Sequence, residues 1–316
     1  MRQPRRARSA GLIVLTLLLA LWAVFPAFAA PGGNGNGRGD GELPPGLAER
    51  EELPPGLANR GELPPGLADG TTTITFLHHN DGESQLLAGD DGIGGVAQFA
   101  TLVDELRATA PTGDGDYGVF LISAGDNFLA GPELNASFDT GFDPFYDALA
   151  LDLIGYDALV VGNHEFDFGP DVLEEFIRAF GSPPPILSAN LDFSGEPNFV
   201  DLAGDDGPIA ASTVLMTSEG TEVGLIGATT ENLPFVSSPR NVAVGDVAAA
   251  VQAEIDELTA AGVEIIVLAS HLQGLSTDEA LLAELTGVDI AIAGGGDELL
   301  ANRGDVLAPG DEAEGP

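Results

Sequence analysis

The sequence Asp157-Ala158-Leu159-Val160-Val161-Gly162-Asn163-His164-Glu165-Phe166-Asp167-Phe168-Gly169 combines a short apolar run with a polar turn. An apolar run bounded by glycine predicts a buried strand of an α/β sheet, and ligands bind at the carboxyl ends of such strands. Asn163 offers a neutral oxygen ligand, His164 an imidazole that can donate a proton, and Asp167 a carboxylate that can orient that imidazole. The same residues are also compatible with a polar loop whose histidine caps the next helix.

Four other predicted strands also end in polar residues. These strands are residues 71–77, 117–123, 263–269 and 290–293. Together with the first strand, they supply the candidate metal ligands Asp81, Glu83, Asp126, Asn163, His271 and Glu298. Oxygen-rich ligands with a single imidazole favour divalent cations, and a carboxylate such as Asp126 can bridge two of them. We therefore expect these side chains to converge at one rim of the sheet.

Alternation of strands with helices predicts the α/β class. Apolar residues at helical spacing predict helices over residues 94–111, 142–154, 170–180 and 247–261. Further strands are predicted over residues 185–191, 209–217 and 222–227. The last two form a predicted hairpin joined at Glu219-Gly220.

Five motifs follow one another between about residue 72 and residue 298. They are His78-x-Asn80-Asp81, Gly125-Asp126, Gly162-Asn163-His164-Glu165-x-Asp167-x-Gly169, Ser188-x-Asn190 and Ser270-His271. Together they resemble the metallophosphatase (calcineurin-like phosphoesterase) domain of the secreted 5′-nucleotidase family. The resemblance implies a four-layer α/β/β/α metallophosphoesterase sandwich with two divalent metal ions.

The resemblance also implies a role for each matched residue. Asp81 and Asp126 would hold the first metal, and Asp126, Asn163 and His271 would hold the second. As catalytic residues, His164 supported by Asp167 would assist departure of the leaving group or stabilise the transition state.

The chain departs from the family pattern at two places. Glu83 stands where the family usually has histidine, and Gly296 and Glu298 stand where it has His-x-His or His-x-Gln. Glu83 and Glu298 would both belong to the first metal, and a site with four carboxylates favours manganese, magnesium or calcium over zinc. Gly296 has no side chain, so the second metal loses a ligand unless water or a neighbour substitutes. A one-residue slip in the alignment would exchange Asp297 for Glu298.

Residues 1–30 are predicted to be a secretory signal peptide. Four arginines precede the apolar run Leu12 to Phe25, and Ala27-Phe28-Ala29 has the small-x-small pattern of a cleavage site. We therefore expect a secreted or periplasmic, extracellular protein without a stable membrane anchor. An uncleaved signal anchor is the alternative, and the paired arginines leave the twin-arginine route open.

Residues 31–70 are predicted to be a Gly/Pro-rich linker. A decapeptide containing Glu-Leu-Pro-Pro-Gly-Leu-Ala recurs three times, and its Pro-Pro-Gly interrupts helix and sheet alike. Residues 71–316 are the predicted metallophosphatase domain. We expect this domain to be truncated at its carboxyl end, because the family usually continues into a C-terminal substrate domain that is absent here.

Composition narrows the function classes. The formal net charge is −39 and the chain has neither lysine nor cysteine. Such a surface repels polyanions, which excludes nucleic-acid binding through a basic patch, and no disulfide stabilises the fold. The abundant carboxylates are typical of a solvated surface suited to salty surroundings.

The leading hypothesis is an exported phosphoesterase that uses a metal-activated water. Its expected partner is a small-molecule phosphate ester, namely a phosphate monoester, with nucleotides favoured by the resemblance alone. Two alternatives are a phosphodiesterase acting on cyclic or lipid-linked phosphates, and a non-catalytic secreted module in which cations only hold the fold.

Overall fold

The structure of the protein, a computed structural model, describes residues 71–89, 92–112, 115–204, 206–296, 298–301, 307 and 312–313, and the backbone of residues 13–18. The chain divides into two units, residues 1–21 with 67–297 and residues 22–66 with 298–316. Every helix and strand named below lies in the first unit. The predicted linker at residues 31–70 lies outside the described residues.

The described residues contain twelve strands and seven α-helices. The strands are β1 (Ile13–Leu18), β2 (Thr72–His79), β3 (Asp116–Ser123), β4 (Ala158–Val160), β5 (Ile186–Leu187), β6 (Leu191–Asp192), β7 (Ile209–Ala210), β8 (Ser212–Met216), β9 (Glu222–Thr229), β10 (Ala243–Val244), β11 (Ile265–His271) and β12 (Ile290–Gly294). The helices are α1 (Val96–Thr109), α2 (Pro132–Asp139), α3 (Tyr146–Ile154), α4 (Pro170–Arg178), α5 (Leu233–Val236), α6 (Val247–Ala261) and α7 (Leu275–Glu284).

The strands form two main sheets. The first has the order β1-β2-β3-β4-β5-β7, and every pair in it is parallel. The second has the order β12-β11-β9-β8, in which only the β8–β9 hairpin is antiparallel. Strands β6 and β10 pair separately as a short antiparallel ribbon. The predicted α/β class is confirmed, and the pairs in the two sheets are parallel except for β8–β9.

The two sheets share one apolar core. Ile74 and Phe76 of β2 belong to the same buried cluster as Leu225 of β9 and Val267 of β11, so the sheets pack face to face. On the other face of the second sheet, α6 and α7 pack against β9 and β11. On the other side of the first sheet, the Phe99 ring of α1 lies 5.1 Å from the His79 ring of β2. The rim that carries the polar strand ends therefore receives loops from two sheets and not from one.

Three element boundaries differ from the prediction. Residues 209–217 do not form one strand, because β7 pairs with β5 in the first sheet and β8 pairs with β9 in the second. The chain crosses between the sheets at Ala211, whose carbonyl accepts a hydrogen bond from the Gly227 N–H at 3.1 Å. The predicted helix over residues 142–154 begins only at Tyr146, after Pro144. The strand predicted over residues 185–191 divides into β5 and β6.

Strand β1 lies within the predicted signal peptide. It pairs in parallel with β2 from Ile13 opposite Thr73 to Leu18 opposite His78. Removal of residues 1–30 would leave β2 at the edge of the first sheet. The remaining residues of the predicted leader lie outside the described part of the chain.

A search of the described residues finds no helix with the length and apolar character needed to cross a bilayer.

Asp147, in the first turn of α3, is a buried carboxylate with 1% exposure. Burial raises its pKa from 3.8 to about 6, although the Ser84 hydroxyl partly offsets the shift. Because the folded-state pKa is the higher one, ionisation of Asp147 destabilises the fold, and this cost is absent below about pH 4 and complete above about pH 6. We expect Asp147→Asn to raise the free energy of unfolding by up to about 3 kcal/mol at about pH 8 and to leave it nearly unchanged at about pH 4.

Urea unfolding at the two pH values measures this difference. Asp104→Asn on α1 is the matched control, because it removes the same charge from an exposed position. It should change stability by less than about 0.5 kcal/mol at either pH. An equal stability change in Asp147→Asn at both pH values would contradict the burial argument.

Candidate metal centre

Four of the six predicted ligands lie together at the carboxyl ends of the strands. Asp81, Asp126 and His271 each place a ligand atom within 4.8 Å of the others. His271 Nε2 lies 2.8 Å from Asp126 Oδ2 and 4.0 Å from Asp81 Oδ1. The fourth residue is Asn163, whose Oδ1 lies 3.1 Å from His271 Nε2. Loops after β2, β3 and β4 of the first sheet and the end of β11 of the second therefore meet at one site.

The loops that carry Asp81 and Asp126 have a constrained backbone. Both residues adopt the left-handed conformation with φ of 54°, which costs of order 1 kcal/mol for a residue other than glycine. The Asp81 N–H donates to the Gly125 carbonyl at 3.0 Å, and the Gly295 N–H donates to Asp81 Oδ2 at 3.1 Å. The loops after β2, β3 and β12 thus hold one another in place.

Two glycines allow ligand side chains to lie directly against the backbone. A Cβ atom on Gly162 would lie 2.2 Å from Asp126 Oδ1. A Cβ atom on Gly295, whose φ is 79°, would lie 2.6 Å from His271 Nε2. A side chain at either position would displace a candidate ligand.

Glu165 connects the loop after β3, which carries Asp126, with the loop after β4, which carries Asn163. The residue is 2% exposed, and its Oε2 accepts hydrogen bonds from the backbone N–H of Gly162 at 2.7 Å and of Asp126 at 3.1 Å. Its Oε1 accepts from the backbone N–H of Asn127 at 2.7 Å and from the Asn127 side-chain amide at 3.0 Å. Burial, reinforced by the Asp126 charge, raises the pKa of Glu165 to about 7.

Glu165→Gln should weaken cation binding without unfolding the chain. An amide presents N–H groups on one side, so either the Gly162 and Asp126 donors or the two Asn127 donors would face another donor. Loss of a side chain that supports metal ligands typically costs about 10–100-fold in metal affinity, and we expect a loss of that order. Calorimetric titration with Mn²⁺ measures it. Glu175→Gln, at an exposed position on α4, should bind Mn²⁺ as the unmodified chain does.

The charges at the site favour a cation. Burial disfavours protonation of His271, but the Asp126 carboxylate outweighs burial and raises the pKa of His271 to about 9. Burial acts against ionisation of Asp126, and the His271 charge overcomes it, so the pKa of Asp126 is lowered. Two carboxylates, an amide oxygen and an imidazole form a donor set that fits a divalent cation. His271 Nδ1–H donates to the Ala124 carbonyl at 2.8 Å, so Nε2 is the nitrogen at which a cation would replace the proton.

Within the described residues, the Glu83 carboxylate is not part of the group formed by Asp81, Asp126 and His271. The Glu83 N–H donates to the Asp126 carbonyl at 3.0 Å, so its backbone lies beside the site. Glu298 is half-buried and belongs to the second unit. Asp297 lies outside the described residues. Ligand roles for all six residues, and the choice between Asp297 and Glu298, stay predictions.

His164 and Asp167 form a pair next to the converging ligands. His164 Nδ1 lies 2.6 Å from Asp167 Oδ2, and Asp167 Oδ1 accepts from the Ser237 hydroxyl at 2.9 Å. The backbone N–H of His164 donates to Asp126 Oδ1 at 2.8 Å, and the ring atom Nε2 of His164 lies 3.9 Å from Asp126 Oδ2. Burial lowers the pKa of His164, but Asp126 and Asp167 outweigh it and raise the pKa overall. The geometry allows an N–H at Nε2 to face the site.

Sequence reasoning assigned no role to four residues that support the site. Thr229 donates its hydroxyl to the Val161 carbonyl at 2.6 Å, and Asn190 brackets the Thr229 backbone with two hydrogen bonds. Glu165 stood inside a recognised motif, so the motif was its only signal. Gln273, whose Nε2 donates to Asn163 Oδ1 at 2.9 Å, gave no signal in the sequence.

Sequence comparison finds relatives for most of the chain. The 5′-nucleotidase of Bos taurus is 32% identical over 233 residues, which cover 70% of this chain and 37% of the relative. The chain is homologous to 5′-nucleotidases. This homology confirms the resemblance for that part of the chain, at about 30% identity. The trifunctional nucleotide phosphoesterase YfkN of Bacillus subtilis is 28% identical over 250 residues, covering 72% of this chain and 16% of that protein.

Comparison with solved structures agrees with the sequence comparison. The 5′-nucleotidase precursor of Thermus thermophilus superimposes with a TM-score of 0.62 at 30% identity, covering 76% of this chain and 44% of that one. The calcineurin-like phosphoesterase YfkN of Bacillus subtilis shares the fold, with a TM-score of 0.53 at 20% identity, covering 70% of this chain and 71% of the other. The α/β fold is therefore structurally similar to 5′-nucleotidase metallophosphoesterase domains.

The chain matches only part of the length of these 5′-nucleotidases. The chain spans about 37% of the curated 5′-nucleotidases that it matches. No family model matches the chain.

Proposed function

We propose that this chain is an exported, metal-dependent phosphoesterase that hydrolyses phosphate monoesters, with nucleotides as substrates. The observation that carries the proposal is the convergence of Asp81, Asp126, Asn163 and His271 beside the His164–Asp167 pair. Homology to 5′-nucleotidases supports the reaction class. We further propose that the two packed sheets and their helices form the four-layer α/β/β/α metallophosphoesterase sandwich.

Two divalent cations would be held by this chain's own residues. Asp81 and Asp126, with Glu83 and Glu298, would hold the first, and the carboxylate-rich set favours Mn²⁺, Mg²⁺ or Ca²⁺ over Zn²⁺ there. Asp126, Asn163 and His271 would hold the second. When bound, such a pair neutralises phosphoryl charge and lowers the pKa of a water to supply the nucleophile.

The His164–Asp167 pair would stabilise the departing group. His164 would present an N–H at Nε2 to the oxygen of the leaving group, where negative charge develops. Asp167 fixes the imidazole through Nδ1, and Ser237 fixes Asp167 in turn. Asn163 and His271 would hold their cation against the β11 end of the rim.

A phosphate-release assay tests this proposal. Purified chain would be incubated with p-nitrophenyl phosphate, its bis ester and a nucleoside monophosphate, each with Mn²⁺, Mg²⁺, Ca²⁺ or Zn²⁺ in turn. Release from the two monoesters in the presence of a divalent cation is expected. Faster turnover of the bis ester would favour the phosphodiesterase. A cation-dependent rise in the unfolding temperature with background phosphate release would instead identify the non-catalytic module.

Export and the linker are separate proposals. Residues 1–30 would direct the chain to a secreted or periplasmic location, and residues 31–70 would space the folded domain from the amino terminus. Amino-terminal sequencing of protein recovered from the medium or periplasm tests the first. A mature chain that begins near Pro31 is expected, and a chain that retains residues 1–30 would point to the uncleaved anchor.

A further inference from the structure

Gln273 contacts the group assigned to the second cation. It follows His271 by two residues at the end of β11. Gln273 Nε2 lies 2.9 Å from Asn163 Oδ1, and His271 Nε2 lies 3.1 Å from the same oxygen. The Gln273 carboxamide and the His271 imidazole therefore contact the same oxygen, which is assigned to the second cation.

The backbone at Gln273 lies in the left-handed region. Its φ is 66°, and that of the next residue, Gly274, is 159°. Glycine adopts the left-handed region freely, whereas glutamine is strained there. The side chain is solvent-exposed, so burial in an apolar core does not account for its placement. The hydrogen bond from Gln273 to Asn163, which is 2% exposed, accounts for the placement of the side chain.

The carboxamide has the chemistry that the second site lacks. Gly296 has no side chain at the position where the resemblance places a second-metal ligand. The oxygen and nitrogen of a glutamine amide exchange places by rotation about one bond. Without a cation, two amide oxygens repel each other, so Gln273 presents its N–H groups to Asn163. A cation at Asn163 Oδ1 reverses that preference and attracts the Gln273 oxygen.

We propose that Gln273 supplies its carboxamide oxygen as a ligand of the second divalent cation, in place of the side chain that Gly296 lacks. The proposal rests on the proposed two-cation site. It adds a neutral oxygen ligand next to Asn163, so the second site keeps a donor set of one shared carboxylate, two amide oxygens and one imidazole. Such an oxygen-rich set with one imidazole accommodates Mn²⁺.

Two variants test the proposal by Mn²⁺ binding alone. Gln273→Gly removes the carboxamide and relieves the backbone, so its unfolding temperature without metal should equal or exceed that of the unmodified chain. Calorimetry should show two Mn²⁺ ions per unmodified chain. In Gln273→Gly, the second ion should bind at least about 10-fold more weakly while the first is unchanged. Electron paramagnetic resonance gives an independent signature, because two Mn²⁺ ions sharing Asp126 are spin-coupled and a single ion is not.

Gln273→Glu distinguishes a ligand from a hydrogen-bond donor. A glutamate keeps the oxygen and adds charge, so a ligand role predicts that the second Mn²⁺ binds at least as tightly as in the unmodified chain. A role limited to donating to Asn163 Oδ1 predicts weakening, because the donor is lost and two oxygens oppose each other. Asn135→Asp, at an exposed position on α2, controls for the added charge and should leave both affinities unchanged.

Three results would overturn the inference. They are unchanged binding in Gln273→Gly, weakened binding in Gln273→Glu, and a single Mn²⁺ per unmodified chain that neither variant affects. These three leave the proposed phosphoesterase standing. An unmodified chain that binds no divalent cation would overturn the proposed function together with this inference.

Discussion

Replacing Asp126 by asparagine is expected to remove both cations and to lower phosphate release by about 10³-fold or more. Bound cations stabilise the transition state by several kcal/mol, and each step of about 1.36 kcal/mol corresponds to a tenfold change in rate. Asp126 is the carboxylate assigned to both ions, and its Oδ2 lies 2.8 Å from His271 Nε2. Asparagine keeps the size of the side chain and an oxygen for the His164 N–H, which lies 2.8 Å from Oδ1. The variant therefore removes the charge and the acceptor that faces His271 but keeps the size of the side chain.

Thermal unfolding and elemental analysis measure the effect on cations directly. At a cation concentration of about 100 times the dissociation constant, binding stabilises a fold by about 2.7 kcal/mol, which amounts to several degrees in the unfolding temperature. The unmodified chain should show this rise with Mn²⁺ and Asp126→Asn should not. Asp139→Asn, at an exposed position in α2, removes the same charge and should behave as the unmodified chain. Two bound ions in Asp126→Asn would contradict the assignment.

The fold was predictable from the sequence where its pattern is local. Helix α6 spans the predicted residues 247–261, and β2 and β3 match the predicted strands to within two residues at each end. Apolar periodicity predicts such elements because the residues buried on one face recur at a regular spacing along the sequence. The two-residue strands β5 and β7 were not separable in this way, because distant partners define them. Helix α7 was missed because Asp278 and Leu281 are its only buried residues in the described structure.

The site was predictable in its residue types but not in its support. Polar residues after strands β2, β3, β4 and β11 indicated a cation site, and the structure brings Asp81, Asp126, Asn163 and His271 together. Both sheets contribute residues to one rim because they pack face to face across a shared core. The motifs imply this packing only through the family resemblance. The role of Gln273 depends on a left-handed backbone angle and on a contact 110 residues away in sequence. Neither leaves a local pattern.

His164→Ala is expected to separate turnover from cation binding. A positioned proton donor contributes about 10²–10⁴-fold to a rate, so kcat for phosphate monoesters should fall by that order. The imidazole is 28% exposed and its backbone N–H to Asp126 remains in the variant, so Mn²⁺ stoichiometry and unfolding temperature should stay close to those of the unmodified chain. Steady-state kinetics with Mn²⁺ calorimetry on one preparation would measure both. Loss of the ions together with activity would assign His164 to the cation site instead.

Asp167 provides the test of whether His164 acts with a partner. Because Asp167 contacts the catalytic imidazole at His164 Nδ1, at 2.6 Å, Asp167→Asn should lower kcat less than His164→Ala does and leave KM unchanged. The double variant should then be no slower than His164→Ala alone, since a residue that acts through another adds nothing once that other is gone. Independent, multiplicative losses in the double variant would mean that Asp167 acts by another route. In that case, the hydrogen bond from Ser237 to Asp167 at 2.9 Å would have to serve a different purpose.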